Sequence, residues 1–226
     1  MAHPLVSDIR LTIVRQVSYC QDGWRGYNGR MAKKPLLAPG QGETVRREIV
    51  EAANQLFYHR GYNQTSFTDI AAAANIPRGN FYYYFKSKDE ILGAVIDARI
   101  ERLHAMIMEW DAAESDPRQR LKRFAQMIRG SEKDVLRYGC PMGSLNIELG
   151  KAQPALKARA KKMFDLFIVW LTQQLAALGR ADAARLALQV MGRMQGMAVI
   201  AQVYGDRDFL RAQLDEFDTW IESLPG

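Results

Sequence analysis

Apolar residues recur at three- and four-residue spacing from Glu43 onward. Val45, Ile49, Ala52, Ala53, Leu56 and Phe57 mark one helical face, and Gly61 stops the helix. The stretch TSFTDIAAAANI predicts a second, short helix. Ser66 is its N-cap, Asp69 stands three residues on in a capping-box position, and Ile70, Ala71 and Ala74 face inward. Asn75-Ile76 makes a turn. Pro77 then suits the first position of a third helix, where its missing N–H would be unpaired in any case. That helix carries the aromatic run FYYYF, in which Phe81 and Phe85, four apart, form the buried side. Ser87-x-x-Glu90 reads as another capping box and opens a long helix from Lys88 to about Asp111.

The same period continues to the end. It predicts helices from Pro117 to Ile128, Pro141 to Leu149, Pro154 to Gly179 and Asp182 to Tyr204, and a last one in DFLRAQLDEFDTWIESL. No alternating run bounded by turn signals is found, so no strand is expected. The fold class is all-α. Residues 43–90 form a three-helix helix-turn-helix domain, and residues 91–226 a larger helical domain for ligand binding and dimerisation.

Residues 1–42 break the pattern. They are rich in Gly and Pro and lack apolar periodicity, which reads as a flexible basic arm. Met31 opens a stretch that itself reads as a protein start, so two readings stand. Either residues 1–30 precede the true start, or they form an arm that reaches along DNA.

Charge sharpens this picture. The formal net charge of +6 is concentrated in residues 1–40, where Arg10, Arg15, Arg25, Arg30, Lys33 and Lys34 face only Asp8 and Asp22. Residues 41–90 are neutral, which points to modest non-specific affinity for an acidic partner. Cys20 and Cys140 are too few for a disulfide scaffold, and His3, His59 and His104 lack metal-ligand spacing. The apolar run from Met163 to Leu171 is broken by Asp165 and too short to span a bilayer. No signal-peptide pattern, nucleophile elbow or phosphate loop is present. A non-enzymatic, cytoplasmic protein without metal, cofactor or membrane partner is expected.

Gly61-Tyr62, Thr65, Asp69-Ile70-Ala71, Ala74, Gly79, Tyr82, Tyr84-Phe85 and Lys86-Ser87-Lys88-Asp89 resemble the N-terminal domain of TetR-family transcriptional regulators. The resemblance covers about residues 45–92 without a gap. It implies that the third helix reads the major groove of double-stranded DNA. Gly79 would let the backbone come close, Asn80 would pair with a base edge or phosphate, and Arg78 would supply a long-range charge contact. Tyr83 and Tyr84 would face the DNA, with Tyr82 packed partly inward and its hydroxyl near the backbone; the other reading is that these rings are core. Lys88 looks like a phosphate anchor, and Ser66 and Thr68 look like phosphate contacts at the second helix's N-terminus. Pro77 stands where many members carry Ser or Thr, so that hydroxyl is missing here.

The resemblance also implies a homodimer and a small-molecule inducer. The helices at 154–178 and 182–204 would form a four-helix bundle with the partner's pair, aided by Gly192 and Gly196, unless they pack only internally. Met106, Trp110, Phe124, Met127, Tyr138, Met142, Phe167, Trp170, Met194 and Met197 supply soft apolar surface, either as pocket lining or as core. Cys140 precedes Pro141 and so falls at an N-cap, where the helix dipole favours a thiolate. YGCPMGSLNIEL is similar to a GCL.GNL..E segment of the NemR/AcuR-like branch of the family, in which such a cysteine can be a sensor. The alternative is a buried small hydrophobe. The function expected is a one-component regulator, a repressor that binds a palindromic operator as a dimer. An apolar or reactive inducer, sensed through Cys140, would release it. A non-specific or architectural DNA-binding protein is the competing reading.

Overall fold

The computed structural model describes residues 41–150 and 153–224. The expected arm at 1–42 lies outside them except for its last two residues, which already belong to a helix. Ten α-helices and no strand occur among the described residues: α1 (Gln41–Arg60), α2 (Phe67–Ala73), α3 (Arg78–Tyr84), α4 (Lys88–Ala113), α5 (Pro117–Gly130), α6 (Glu132–Tyr138), α7 (Pro141–Leu149), α8 (Pro154–Ala177), α9 (Ala183–Tyr204) and α10 (Arg207–Ser223). Helix α6 is absent from the sequence reading. It has only seven residues, with Val135 as its single buried side chain, too little to produce a periodic signal. No described helix is long and apolar enough to cross a membrane.

Local chemistry sets most of the boundaries. α1 ends at Gly61, whose φ of +88° is left-handed. α2 begins with a complete capping box: Ser66 Oγ accepts from Asp69 N at 3.1 Å, and the Asp69 carboxylate accepts from Ser66 N at 2.8 Å. The turn from α2 to α3 is a Schellman motif. Asn75 adopts φ +53°, its N–H reaches Ala72 O at 3.1 Å, and the N–H of Ile76 reaches Ala71 O at 3.0 Å.

Two expectations need correction here. Pro77 is the N-cap of α3, not its first residue. Its ψ of 134° is extended, while its carbonyl already accepts from Asn80 N at 2.9 Å and Phe81 N at 3.2 Å. At α4, Ser87 Oγ accepts from Glu90 N, but the Glu90 carboxylate takes Lys86 N at 2.7 Å instead of Ser87 N. The box is therefore half-closed.

Packing then joins the elements. α1, α2 and α3 bury Ile49, Ala53, Phe57, Ile70, Ala71, Phe81 and Phe85 against the first turns of α4. In the larger domain α4, α5, α8 and α9 enclose an aromatic core. Trp110 lies 5.4 Å from Trp170 and 6.5 Å from Phe167, and Phe124 lies 4.9 Å from Phe167, as ring centroids. The indole N–H of Trp170 donates to Asp111 at 2.9 Å, so burial leaves it satisfied. α1 also packs against α7, which places the three N-terminal helices in direct contact with the larger domain.

Candidate nucleic-acid interface

The face of α3 away from the core is open. Phe81 and Phe85 are 0% exposed and fix the rotation of the helix. Tyr83, on the opposite side, is 74% exposed and Tyr82 is 55% exposed. Tyr84 is half-buried and packs against the core. Tyr82, expected partly inward, is thus the more exposed of the two, and Tyr84 the more buried. The reason is geometric: at about 100° per residue Tyr84 falls about 60° from Phe81, while Tyr82 falls about 100° away. Tyr82 instead stacks outside on Phe67, with centroids 5.1 Å apart and planes at 23°. Gly79 and Asn80 are exposed, and a Cβ built on Gly79 would meet nothing within 4 Å. Arg78 opens α3; its side chain lies outside the described set.

Two expected phosphate contacts are occupied inside the chain. The Lys88 ammonium donates to Tyr62 O at 2.9 Å and Thr65 O at 3.0 Å and lies 4.2 Å from the Tyr62 ring centroid. It ties the α1–α2 turn to α4, adding to the bond that Tyr62 O already accepts from Thr65 N at 3.3 Å. The Ser66 hydroxyl is taken up in its capping box and also donates to Asp69 at 2.6 Å. The Asp69 carboxyl is held below its ordinary range by those bonds from Ser66, so negative charge sits at that helix start. Thr68 is exposed beside it. Lys86, part of the family motif but assigned no contact from the sequence, is exposed just after α3, where its ammonium donates to Tyr82 O.

The expected pocket set is divided by the structure. Trp110, Phe124, Phe167, Trp170, Met194 and Met197 are buried in the core, and Met106 and Met127 pack against its edge. The aromatic members fill the space between α4, α5 and α8 with their own rings. Two cavities lie elsewhere, where α1 meets α4 and α7. One, of about 310 Å³, is bounded by Tyr58, His59, Arg99, Arg137, Tyr138 and Ser144 among others. The other, of about 230 Å³, shares Tyr58, Arg99 and Pro141 and adds Leu103, Met142 and Met163. From the expected set, Tyr138 lines the first and Met142 the second.

Arg99 was legible as an anomaly. Leu92, Ile96, Arg99, Leu103, Ile107 and Trp110 form the inward stripe of α4, and Arg99 is its one charged member. Its guanidinium donates to Asn54 Oδ1 at 2.7 Å, Pro141 O at 2.9 Å and Asn54 O at 3.5 Å. Burial pulls its pKa down to about 10, so it remains charged at neutral pH. The Tyr58 hydroxyl donates to Gly139 O at 2.9 Å, and burial raises its pKa above the ordinary tyrosine value.

Cys140 is the N-cap of α7, as its place before Pro141 requires. Its Sγ accepts from Gly143 N at 3.5 Å and from Gln195 Nε2 at 3.4 Å, and it is half-buried. A Cβ at Gly143 would clash with the Gln195 amide oxygen, so the Gln195 side chain would have to swing away from Cys140 to admit one.

Comparison with known proteins places these features. Residues 49–95 match the model of bacterial regulatory proteins of the tetR family. Residues 117–216 match the C-terminal domain model of LmrA/YxaF-like transcriptional regulators. An HTH-type transcriptional regulator of Lactococcus lactis subsp. lactis, from the lacX 3' region, is 28% identical over 185 residues, covering 80% of this chain and 94% of the relative. The HTH-type transcriptional repressor DhaR of Mycobacterium sp. (strain GP1) is 30% identical over 126 residues, 55% of this chain and 62% of the relative. A TetR transcriptional regulator from Legionella pneumophila superposes with a TM-score of 0.68 at 26% identity, over 84% of this chain and 98% of that one.

Proposed function

This chain belongs to the tetR family of bacterial regulatory proteins, and we propose that it represses transcription from a palindromic operator as a homodimer released by a small-molecule inducer. The observation that carries the reading is the outward face of α3. Gly79, Asn80, Tyr82 and Tyr83 project from a helix whose rotation is locked by Phe81 and Phe85. Two tyrosine hydroxyls and an amide there suit base edges and phosphates. Tyr84 contributes from the flank, Arg78 and Lys86 add charge, and Thr68 faces the backbone from α2. Repression is favoured by the relative DhaR, which is a repressor.

The dimer surface is assigned to α8 and α9. On α9 Leu188, Gly192, Gly196, Val199, Ile200 and Val203 are exposed at helical spacing, an apolar stripe with small residues at its centre. A two-fold axis through it sets the two α3 helices against half-sites one helical turn, or a multiple of it, apart. The inducer acts by favouring a state whose reading helices no longer match that spacing. Cys140 serves as a second input: modification of its thiol removes the acceptor that holds Gly143 and Gln195. Cys140→Ser should abolish release by quinones, aldehydes or oxidants; release that persists in this variant removes Cys140 as the sensor.

The deciding experiment is binding of the full chain to its own upstream intergenic DNA and to a scrambled fragment of equal length, at about 150 mM salt. Preference of roughly a thousandfold supports a sequence-specific autoregulator. Equal binding to both fragments favours the architectural reading.

A further inference from the structure

Arg99 is a half-buried charge closed in by α1 and α7, and the nearby Glu51 carboxylate, whose charge reaches it, is itself paired with Arg102. Its three acceptors are the Asn54 amide oxygen and the carbonyls of Asn54 and Pro141, all neutral. Among the described residues no carboxylate forms an ion pair with it. Two of its five N–H groups have no acceptor among the described residues. A charge withdrawn from water onto neutral acceptors is costly, and it concentrates where a ligand supplies the opposite sign. Both cavities open onto this guanidinium. Arg137 and His59 stand on the wall of the larger one, and the Tyr58 hydroxyl, turned to Gly139 O, keeps lone pairs for a further donor. The one acid on that wall, Glu148, is already committed to the N–H groups of Tyr62 at 2.9 Å and Asn63 at 2.7 Å. The smaller cavity adds the apolar side chains of Leu103, Met142 and Met163.

We propose that this junction binds a small organic carboxylate, with its carboxylate on Arg99 in the larger cavity and its apolar part against the adjoining surface. A guanidinium fork matches a carboxylate in two parallel hydrogen bonds, which a neutral amide cannot reproduce. The site is distinct from the aromatic core of the larger domain. Its walls come from α1 of the DNA-binding domain (Phe57, Tyr58, His59) and from α4, α6, α7 and Gln202 of the larger one. Occupancy therefore bears directly on how α1 rests against α7. Resting on the regulator reading given above, this makes the carboxylate an effector of DNA binding.

The test is calorimetric titration of the DNA-free full chain with acetate, butyrate and benzoate, each against its own amide. Butyrate or benzoate should saturate one site per chain, and its amide should bind at least about tenfold more weakly. Arg99→Gln should weaken the acid by about tenfold or more. Because Arg99 also braces Asn54 and Pro141, a second variant is needed. Ser144 is exposed at the cavity wall, so Ser144→Phe should block the acid while leaving the melting temperature unchanged. Absence of saturation by any acid up to about 10 mM overturns the site, as does equal binding of acid and amide. Acid binding unchanged in both variants does the same. The titration needs no operator, so its failure is separate from failure of the regulator reading. Acid binding that leaves affinity for the upstream DNA fragment unaltered removes the effector role alone.

Discussion

The Glu148 carboxylate, in α7 of the larger domain, accepts the backbone N–H of Tyr62 at 2.9 Å, in the turn that opens the helix-turn-helix. Its other oxygen accepts from Asn63 at 2.7 Å. Gly61 permits this approach: a Cβ there would lie 3.0 Å from the same carboxylate, on a backbone already at φ +88°. The contact makes the larger domain an acceptor for the α1–α2 turn. Glu148→Ala should lower unfolding stability by about 1.5–3 kcal/mol, read from urea midpoints, since two hydrogen bonds to a charged group are lost. Unchanged midpoints would show the turn to be held from within the small domain.

The reading helix separates binding from folding at single positions. Tyr83→Ala should weaken specific DNA binding by about 1–3 kcal/mol and leave the melting temperature alone, because the ring is exposed. Tyr84→Ala should lower both, because its ring also packs on the core. Binding affinity and thermal unfolding measured on the same preparations check the contrast. A Tyr83 variant with wild-type affinity would move the interface elsewhere.

Tyr62 predicts an alkaline limb. Burial and the bond to Asp89 raise its pKa to about 12. The folded state thus holds this proton more tightly than the unfolded chain. The stabilisation is complete below the ordinary tyrosine pKa of about 10 and is lost as pH rises from there through about 12. Tyr58, also raised by burial, acts in the same sense. Urea midpoints from pH 9 to 12 should fall less steeply in Tyr62→Phe than in the parent; equal slopes would contradict the assignment.

The α2–α3 turn can be tested by backbone chemistry. Asn75 occupies a left-handed conformation that Gly adopts freely and a β-branched residue resists. Asn75→Gly should be tolerated, while Asn75→Val should cost about 1–2 kcal/mol in thermal or urea unfolding. Equal effects would mean that the turn relaxes out of this geometry.

At Gly192 and Gly196 the chain itself leaves open space, since a Cβ at either meets nothing within 4 Å. Gly196→Leu should therefore keep the helical content but raise the dimer dissociation constant by about tenfold or more, with parallel loss of DNA binding. Sedimentation velocity over a concentration series measures the first effect. A wild-type dimer in this variant would move the interface off α9.

Much of the fold was legible because its punctuation is chemical. Pro117, Pro141 and Pro154 open helices, Gly61 and Gly179 follow their ends, and Ser66 caps α2. What stayed hidden depended on partners distant in sequence. The relative burial of Tyr82 and Tyr84 turns on Phe67 of α2 and the core beneath α3. Lys88 is drawn inward by carbonyls 26 and 23 residues earlier. The aromatic side chains of α4, α5 and α8 have the composition of a pocket but fill one another's space. Arg99 shows on the inward stripe of α4, but its neutral acceptors show only when α1, α4 and α7 come together.

Helix α4 runs unbroken for 26 residues, from the floor of the reading head at Lys88 to Trp110 and beyond in the aromatic core. At 1.5 Å per residue it is a rod of about 39 Å. A rod that is stiff along its length acts as a lever. A tilt of about 6° about the Trp110 end carries Lys88, about 33 Å away, through about 3.4 Å, the rise of one base step. Two such levers related by a two-fold axis move in opposite directions, so their displacements add. On the regulator reading proposed above, an effector would have no need to remodel either domain: a shift of about 1.7 Å at Arg99, about 16 Å from the fulcrum, would leave both reading heads intact and a full step out of register.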